Sequence, residues 1–172
     1  MTFSLRKLLF PALLVLSLGL VGCGSSTTEE VDDLDTYAQM DAPESDGLDI
    51  PINADSDSGR AGNLATVNFP FDSSTLTDEA RRTLQRNVEF LQDNPNIEIQ
   101  VEGHCDERGG VQYNLALGER RAKSVRDYMV AMGISSSRIS TISFGKERPI
   151  AFGHNESAWG QNRRANFVVT AN

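Results

Sequence analysis

The arginine at position 121 carries a charge that the fold must accommodate. Asn114, Leu117 and Arg121 recur at intervals of three and four residues, so they share one face of a predicted helix. A guanidinium in line with core positions is costly unless a carboxylate or an anionic ligand meets it. The candidate carboxylates are Asp72 and Asp106. The alternative to a binding role is that Arg121 extends from the helix into water. This arrangement is the more common one for a single arginine on the side of a helix.

Two predicted strands position Asp72 and Asp106, because each aspartate follows the end of a strand. The helix after the second strand carries Arg121. Residues 64–69 alternate apolar and polar side chains, which predicts a strand. Residues 97–102 alternate in the same way and lead into a polar turn over residues 103–110. Strands joined by right-handed helical crossovers end at the same sheet edge. We therefore expect Asp72 and Asp106 to lie near each other at that edge.

The remaining elements complete a small α+β fold. Apolar residues at helical spacing predict one helix between residues 77 and 94 and a second over about 112–132. Further strands are predicted over 138–144 and 165–170, with a short helix near 156–160. The order β-α-β-α-β-β predicts a two-layer sandwich, with a mixed sheet and helices on one face.

The N-terminus has the pattern of an export signal. Two basic residues precede an apolar run over residues 8–20 that is short for a membrane span. Leu20-Val21-Gly22-Cys23 then resembles the lipobox of bacterial lipoproteins, in which a signal peptide (1–22) is removed and Cys23 is acylated. More than one acyl chain gives a lasting membrane anchor. The alternative is an ordinary secretory signal with an incidental cysteine. Gly24 favours the outer membrane, because an aspartate there marks inner-membrane retention in the enterobacterial pattern.

Charge is distributed unevenly along the 172 residues, whose net charge is −8. Residues 24–60 contain 11 acidic residues and one basic residue, whereas residues 61–172 contain 13 of each sign. No domain-wide basic surface is available to collect the phosphates of a nucleic acid. Low hydrophobicity with charge of one sign predicts a disordered tether over residues 23–62, which leaves 63–172 for the folded domain.

Two long motifs identify a family. Residues 101–109 (VEGHCDERG) and 113–122 (YNLALGERRA) resemble the OmpA-like peptidoglycan-binding domain family, and within it the peptidoglycan-associated lipoproteins. The resemblance extends in order over nearly all of residues 64–170. Supporting motifs are found at 69–72 (FPFD), 143–149 (SFGKERP), 153–154 (GH) and 162–165 (NRRA).

The resemblance implies a binding domain without catalysis, cofactor or metal. Its ligand would be the meso-diaminopimelate residue of the peptidoglycan stem peptide. Asp106 would accept the ammonium group of that side chain, and Arg121 would bind its carboxylate with help from the backbone N–H of Asp72. Leu117 would line the aliphatic part of the ligand, and Asn114 would hold nearby polar groups. An arginine suits the carboxylate because its fork can bond both oxygens.

The resemblance also implies a place in the cell envelope. The expected protein is an outer-membrane lipoprotein that faces the periplasm and ties that membrane to peptidoglycan. It would exchange between the wall and TolB, coupled to TolA, as part of the Tol-Pal system in cell division. An OmpA-like lipoprotein outside the Tol system is the main alternative. A flagellar stator protein is disfavoured, because the apolar run carries no acidic residue.

Cys105 is where this sequence departs from the family, whose members more often carry a small residue there. A thiol catalyst or metal site at His104 and Cys105 is the enzymatic alternative. Neighbours on a strand point to opposite faces, which disfavours it. We expect Cys105 to be a small, partly buried apolar residue.

Overall fold

Residues 49–172 are the part of the chain that the computed structural model describes. The predicted signal peptide, Cys23 and the predicted tether as far as residue 48 lie outside it. Within the described residues, no helix is both long and apolar enough to cross a membrane. The elements are β1 (Val67–Asn68), α1 (Asp78–Asp93), β2 (Glu98–His104), α2 (Val111–Ala131), a 3₁₀ turn (Ser136–Arg138), β3 (Ile139–Gly145), α3 (Glu156–Asn162) and β4 (Arg164–Ala171).

The four strands form one mixed sheet in the order β1-β4-β2-β3. β2 is parallel to β3, with Ile99 opposite Ile139, and antiparallel to β4, with Val101 opposite Phe167. β1 is also antiparallel to β4. Because β1 and β2 both oppose β4, they run in the same direction and end at the same edge of the sheet. The predicted α+β class with a mixed sheet is confirmed.

The core lies between the two long helices and one face of the sheet. Thr77 caps α1 by accepting a hydrogen bond from the Ala80 N–H at 3.1 Å, as its position in the sequence predicts. Apolar side chains from both helices then meet the inward-facing residues of β2 and β4 in a single cluster, which includes Leu84, Val88, Leu91, Ile99, Val101, Val125, Met129, Phe167 and Val169. Both helices therefore cover the same face of the sheet.

Residues 49–62, predicted from composition to belong to a disordered tether, are ordered and pair with β4. The N–H of Asn53 donates to the carbonyl of Val169 at 2.8 Å, and the N–H of Ser56 donates to the carbonyl of Phe167 at 2.9 Å. This segment continues along the edge of β4 that β1 only partly covers. The prediction that the folded domain starts at residue 63 is therefore wrong.

Side chains of the same segment complete the packing. Ile50, Ala54 and Ala61 are buried in the main hydrophobic cluster. The carboxylate of Asp57 accepts a hydrogen bond from Nε of Arg164 at 2.7 Å, and both side chains are largely buried. These apolar residues belong to a loop, so they recur at neither helical nor strand spacing. Without such a period, the acidic composition of the segment predicted disorder.

Candidate functional site

A cavity of about 140 Å³ opens at the sheet edge where β1 and β2 end. Its size suits the end of one side chain, since sites for whole drug-sized ligands are larger. All five residues that were selected from the sequence line this cavity: Asp72, Asp106, Asn114, Leu117 and Arg121. Six further residues line it and were not selected: Phe71, Cys105, Arg108, Gly109, Tyr113 and Arg163.

Arg121 is completely buried beside this cavity. Its Nε donates to the carbonyl of Ser73 at 2.8 Å, Nη1 donates to the carbonyl of His104 at 2.8 Å, and Nη2 donates to the carbonyl of Pro70 at 3.1 Å. Burial lowers the pKa of Arg121. Among residues 49–172, no aspartate or glutamate forms an ion pair with it. Carbonyl dipoles hold the guanidinium in place without neutralising its charge.

Cys105 and His104 lie on opposite sides of the strand end. The Cys105 thiol donates to the carbonyl of Asn114 at 3.4 Å, and burial raises its pKa. His104 Nε2 lies 3.3 Å from Glu102, and its ring stacks on Phe144. The two side chains therefore cannot act as a thiol–imidazole pair. Within residues 49–172, no group of three or more His, Cys, Asp or Glu side chains is arranged to hold a metal ion.

Asp106 is the acidic counterpart of Arg121 in the cavity and is only 4% exposed. Its Oδ2 lies 2.6 Å from Arg108 Nη2 and 3.2 Å from Arg163 Nη1. Burial opposes ionisation of the carboxyl, but the hydrogen bonds from Arg108 and Arg163 outweigh it and lower the pKa of Asp106. Asp106 is therefore an anion in the neutral range, held between two arginines.

Arg108 is not among the binding residues selected from the sequence, although it stands two residues after the selected aspartate. Its guanidinium carbon lies 3.9 Å from the ring centroid of Phe71 and 4.1 Å from that of Trp159. The cation is therefore sandwiched between two aromatic faces, a favourable electrostatic arrangement. The sequence shows only that Arg108 and Asp106 belong to the same polar turn. The structure shows that the Arg108 side chain turns back and contacts the carboxylate of Asp106.

Asp72 and Asn114 both line the cavity, and each is held by its own hydrogen bonds. Asp72 has a φ of 51°, an uncommon backbone conformation for a residue other than glycine. Its carboxylate accepts a hydrogen bond from the Tyr113 hydroxyl, which raises the pKa of Tyr113. The side-chain Nδ2 of Asn114 donates to the carbonyls of Arg108 at 2.8 Å and Gly110 at 3.2 Å. Asn114 thus holds the turn that carries Asp106.

Comparison with known proteins identifies the family. The sequence profile of the OmpA family matches residues 68–164. A peptidoglycan-associated lipoprotein of Mesorhizobium japonicum is 40% identical over 153 residues, which are 88% of this chain and 86% of that protein. One from Agrobacterium fabrum is 50% identical over 101 residues, 59% of this chain and 57% of that protein. The chain thus spans little more than half of this second relative.

A solved structure agrees with these sequence matches. The crystal structure of the peptidoglycan-associated lipoprotein from Burkholderia pseudomallei superposes with a TM-score of 0.59 and 41% identity, over 60% of this chain and 88% of that chain. The names of these three relatives describe lipoproteins associated with peptidoglycan and mention no enzymatic activity. The chain therefore belongs to the OmpA family, among the peptidoglycan-associated lipoproteins.

Proposed function

We propose that the folded domain binds, without catalysis, the end of the meso-diaminopimelate side chain in the peptidoglycan stem peptide. The observation that carries this proposal is the buried guanidinium of Arg121, which lines the cavity without an ion-pair partner among the described residues. A buried charge of this kind is stabilised by a counter-charge. The carboxylate at the end of the diaminopimelate side chain supplies it.

The opposite charge of the ligand has a partner in the same cavity. Diaminopimelate carries an ammonium and a carboxylate on the same terminal carbon atom, so a matching site needs an acid and a base close together. Asp106 and Arg121 both line this small cavity. Leu117 also lines the cavity and contacts the aliphatic part of the side chain, and the backbone N–H of Asp72 assists at the carboxylate.

The expected affinity of one domain is modest. Charge-assisted hydrogen bonds contribute about 1.5–3 kcal/mol each, and ordering the ligand offsets part of this gain. A dissociation constant on the order of micromolar follows. Many copies held beside a polymeric wall make the attachment collectively firm, since each unbinding event leaves neighbouring domains engaged.

The membrane side of the link is Cys23, acylated after removal of residues 1–22, with the acidic segment over residues 24–48 as the tether. The lipobox motif and the names of the relatives support this arrangement. We place the protein at the outer membrane, facing the periplasm, with TolB and TolA as partners in the Tol-Pal system. Co-purification with TolB tests the partnership; its absence favours an OmpA-like lipoprotein outside the Tol system.

Sedimentation with isolated sacculi tests the ligand. The full chain, purified in a non-ionic detergent, is mixed with walls that contain either diaminopimelate or lysine in the stem peptide. A lysine side chain has the ammonium but lacks the carboxylate, so Arg121 stays unpaired. The chain is expected to sediment with diaminopimelate walls and to remain in solution with lysine walls. Equal sedimentation with both walls refutes the assignment of Arg121 to the carboxylate.

A further inference from the structure

The acceptor positions of Asp106 are fully used before any ligand arrives. A carboxylate offers about four lone-pair positions to donors. Oδ1 accepts from the backbone N–H of Arg108 at 3.1 Å and from its Nε at 3.2 Å. Oδ2 accepts from Nη2 of Arg108 at 2.6 Å and from Nη1 of Arg163 at 3.2 Å. An ammonium group can therefore bond to Asp106 only by replacing one of these donors.

The replaceable donor is the side chain of Arg108. Arg163 is 8% exposed at its side chain and is also bound to Glu156 and, at 3.1 Å, to the carbonyl of Phe69. The side chain of Arg108 is 30% exposed. Glu156, whose side chain is largely exposed, offers it a second carboxylate, since its Oε2 atom lies 3.9 Å from Nη2 of Arg108. Arg108 can thus leave Asp106 without becoming an unpaired cation.

We infer, resting on the proposed function, that Arg108 is an internal competitor of the ligand, because its guanidinium occupies the cation position at Asp106 in the free protein. A ligand with both an ammonium and a carboxylate replaces Arg108 at Asp106 and pairs with Arg121. A ligand with a carboxylate alone can pair with Arg121 but leaves Arg108 in place. Arg108 therefore lowers the affinity for the zwitterionic end group by the free energy needed to displace it from Asp106.

Trp159 provides a direct reporter of this exchange. The guanidinium carbon of Arg108 lies 4.1 Å from the centroid of the Trp159 ring. The chain contains one tryptophan, so its fluorescence comes from this position alone. Movement of Arg108 away from Asp106 also moves its charge relative to the indole. The tryptophan emission spectrum should therefore change when the zwitterionic ligand binds.

The test titrates the full chain in a non-ionic detergent with L-alanyl-γ-D-glutamyl-meso-diaminopimelate, while emission and heat of binding are recorded. A second peptide has the side-chain ammonium acetylated. The wild-type chain is expected to change its emission with the first peptide and not with the second.

Arg108→Gln is expected to bind the first peptide about threefold to fivefold more tightly, the scale of a partly exposed ion pair, without the wild-type emission change. Arg82→Gln removes the same charge from an exposed position on α1 and should behave like the wild type.

The outcomes separate the two proposals. No binding of the first peptide by the wild-type chain overturns the proposed function and this inference with it. Binding by the wild type, with weaker binding by Arg108→Gln, overturns the inference alone, because Arg108 would then assist the ligand. Unchanged emission at saturation also overturns it and places the ammonium at another carboxylate, such as that of Asp72. If Arg108→Gln does not fold, the two wild-type titrations still decide.

Discussion

Gly103 at the end of β2 and Gly118 in α2 are in direct backbone contact. A Cβ atom on Gly103 would lie 1.8 Å from the carbonyl oxygen of Gly118, far closer than a Cβ atom approaches an atom to which it is not bonded. The contact brings the helix onto the end of the strand. Leu117 and Arg121 are within one helical turn of Gly118, and Asp106 follows Gly103 by three residues. The two glycines therefore set the separation between the acidic and basic sides of the cavity.

Gly103→Ala is expected to destabilise the fold, because backbone atoms rather than a flexible side chain must move. The loss in the free energy of unfolding should be about 3 kcal/mol, at the upper end for overpacking. Urea denaturation followed by circular dichroism measures it. Gly160→Ala in α3 is the control, since its added Cβ meets Arg163 Nη2 at an ordinary 3.6 Å. That variant should change stability by less than about 1 kcal/mol; a similar loss in both would refute the role of the contact.

Helical periodicity was enough to place Asn114, Leu117 and Arg121 on one face, since that pattern depends only on residues of one element. The common strand direction was enough to bring Asp72 and Asp106 to the same edge. These placements follow from local spacing and chain topology. The positions of these five cavity residues could therefore be predicted from the spacing of residues within one element and from the order of the elements along the chain.

The position of Arg108 could not be predicted in the same way. Its side chain turns back onto Asp106, where Phe71 and Trp159 enclose the guanidinium. Those two aromatic residues come from distant parts of the chain and have no common period with the turn. Contacts of this kind arise only when the tertiary fold has formed.

Replacing Arg121 should affect folding as well as binding. Arg121→Ala leaves the carbonyls of Ser73, His104 and Pro70 without their donor, so the free energy of unfolding should fall by about 3 kcal/mol. Arg121→Lys keeps the charge but loses the fork, and should weaken wall binding at least about tenfold. Sedimentation with sacculi, at a temperature where circular dichroism shows a folded domain, measures the lysine variant. Wild-type binding by that variant would show that the fork is not required.

Wall binding should persist to lower pH than an ordinary aspartate would allow. The hydrogen bonds of Asp106 lower its pKa despite its burial, so it stays ionised as the pH falls through about 3.9, the usual value for aspartate. A depressed pKa also stabilises the folded state above the unfolded value, and this contribution is lost as the pH falls through the folded value. Sedimentation with sacculi over a descending pH series measures the effect.

The control for this pH series is Asp106→Asn, which keeps the shape but lacks the charge. It should bind the wall weakly at every pH and show no loss in this range. Loss of half the binding above about pH 5, with the domain still folded, would contradict the assignment of the ammonium to Asp106, because its carboxylate is ionised there.

Glu107 and His154 form an exposed pair that should be visible by NMR. The Oε1 atom of Glu107 lies 2.7 Å from Nδ1 of His154 and 2.8 Å from Nε1 of Trp159. The hydrogen bond that His154 donates to Glu107 raises the pKa of His154, so its titration midpoint should exceed about 6.5. Glu107→Gln should lower that midpoint. Because the folded pKa is raised, the pair stabilises the fold below the unfolded pKa and loses this effect as the pH rises.

His104 is the internal comparison for that titration. Burial lowers the pKa of His104, which outweighs its hydrogen bond to Glu102, so its midpoint should fall below the ordinary histidine value. Glu107→Gln should leave the His104 midpoint unchanged, since its contacts are with Glu102 and Phe144. A His154 midpoint that does not respond to Glu107→Gln would show that the pair does not form in solution.

Removal of residues 49–62 should destabilise the domain. Arg164 is 3% exposed at its side chain and would lose the carboxylate of Asp57, which leaves a buried charge without its partner. Ile50 would also leave the hydrophobic cluster. A chain of residues 63–172 should therefore unfold with a free energy at least about 3 kcal/mol below that of residues 49–172, measured by urea denaturation.

Asp57→Asn in the longer chain separates the two causes, because it removes the charge while Ile50 stays packed. Equal stability of the two chains would show that the folded domain does begin at residue 63, and that the pairing of residues 53–56 with β4 contributes nothing to it.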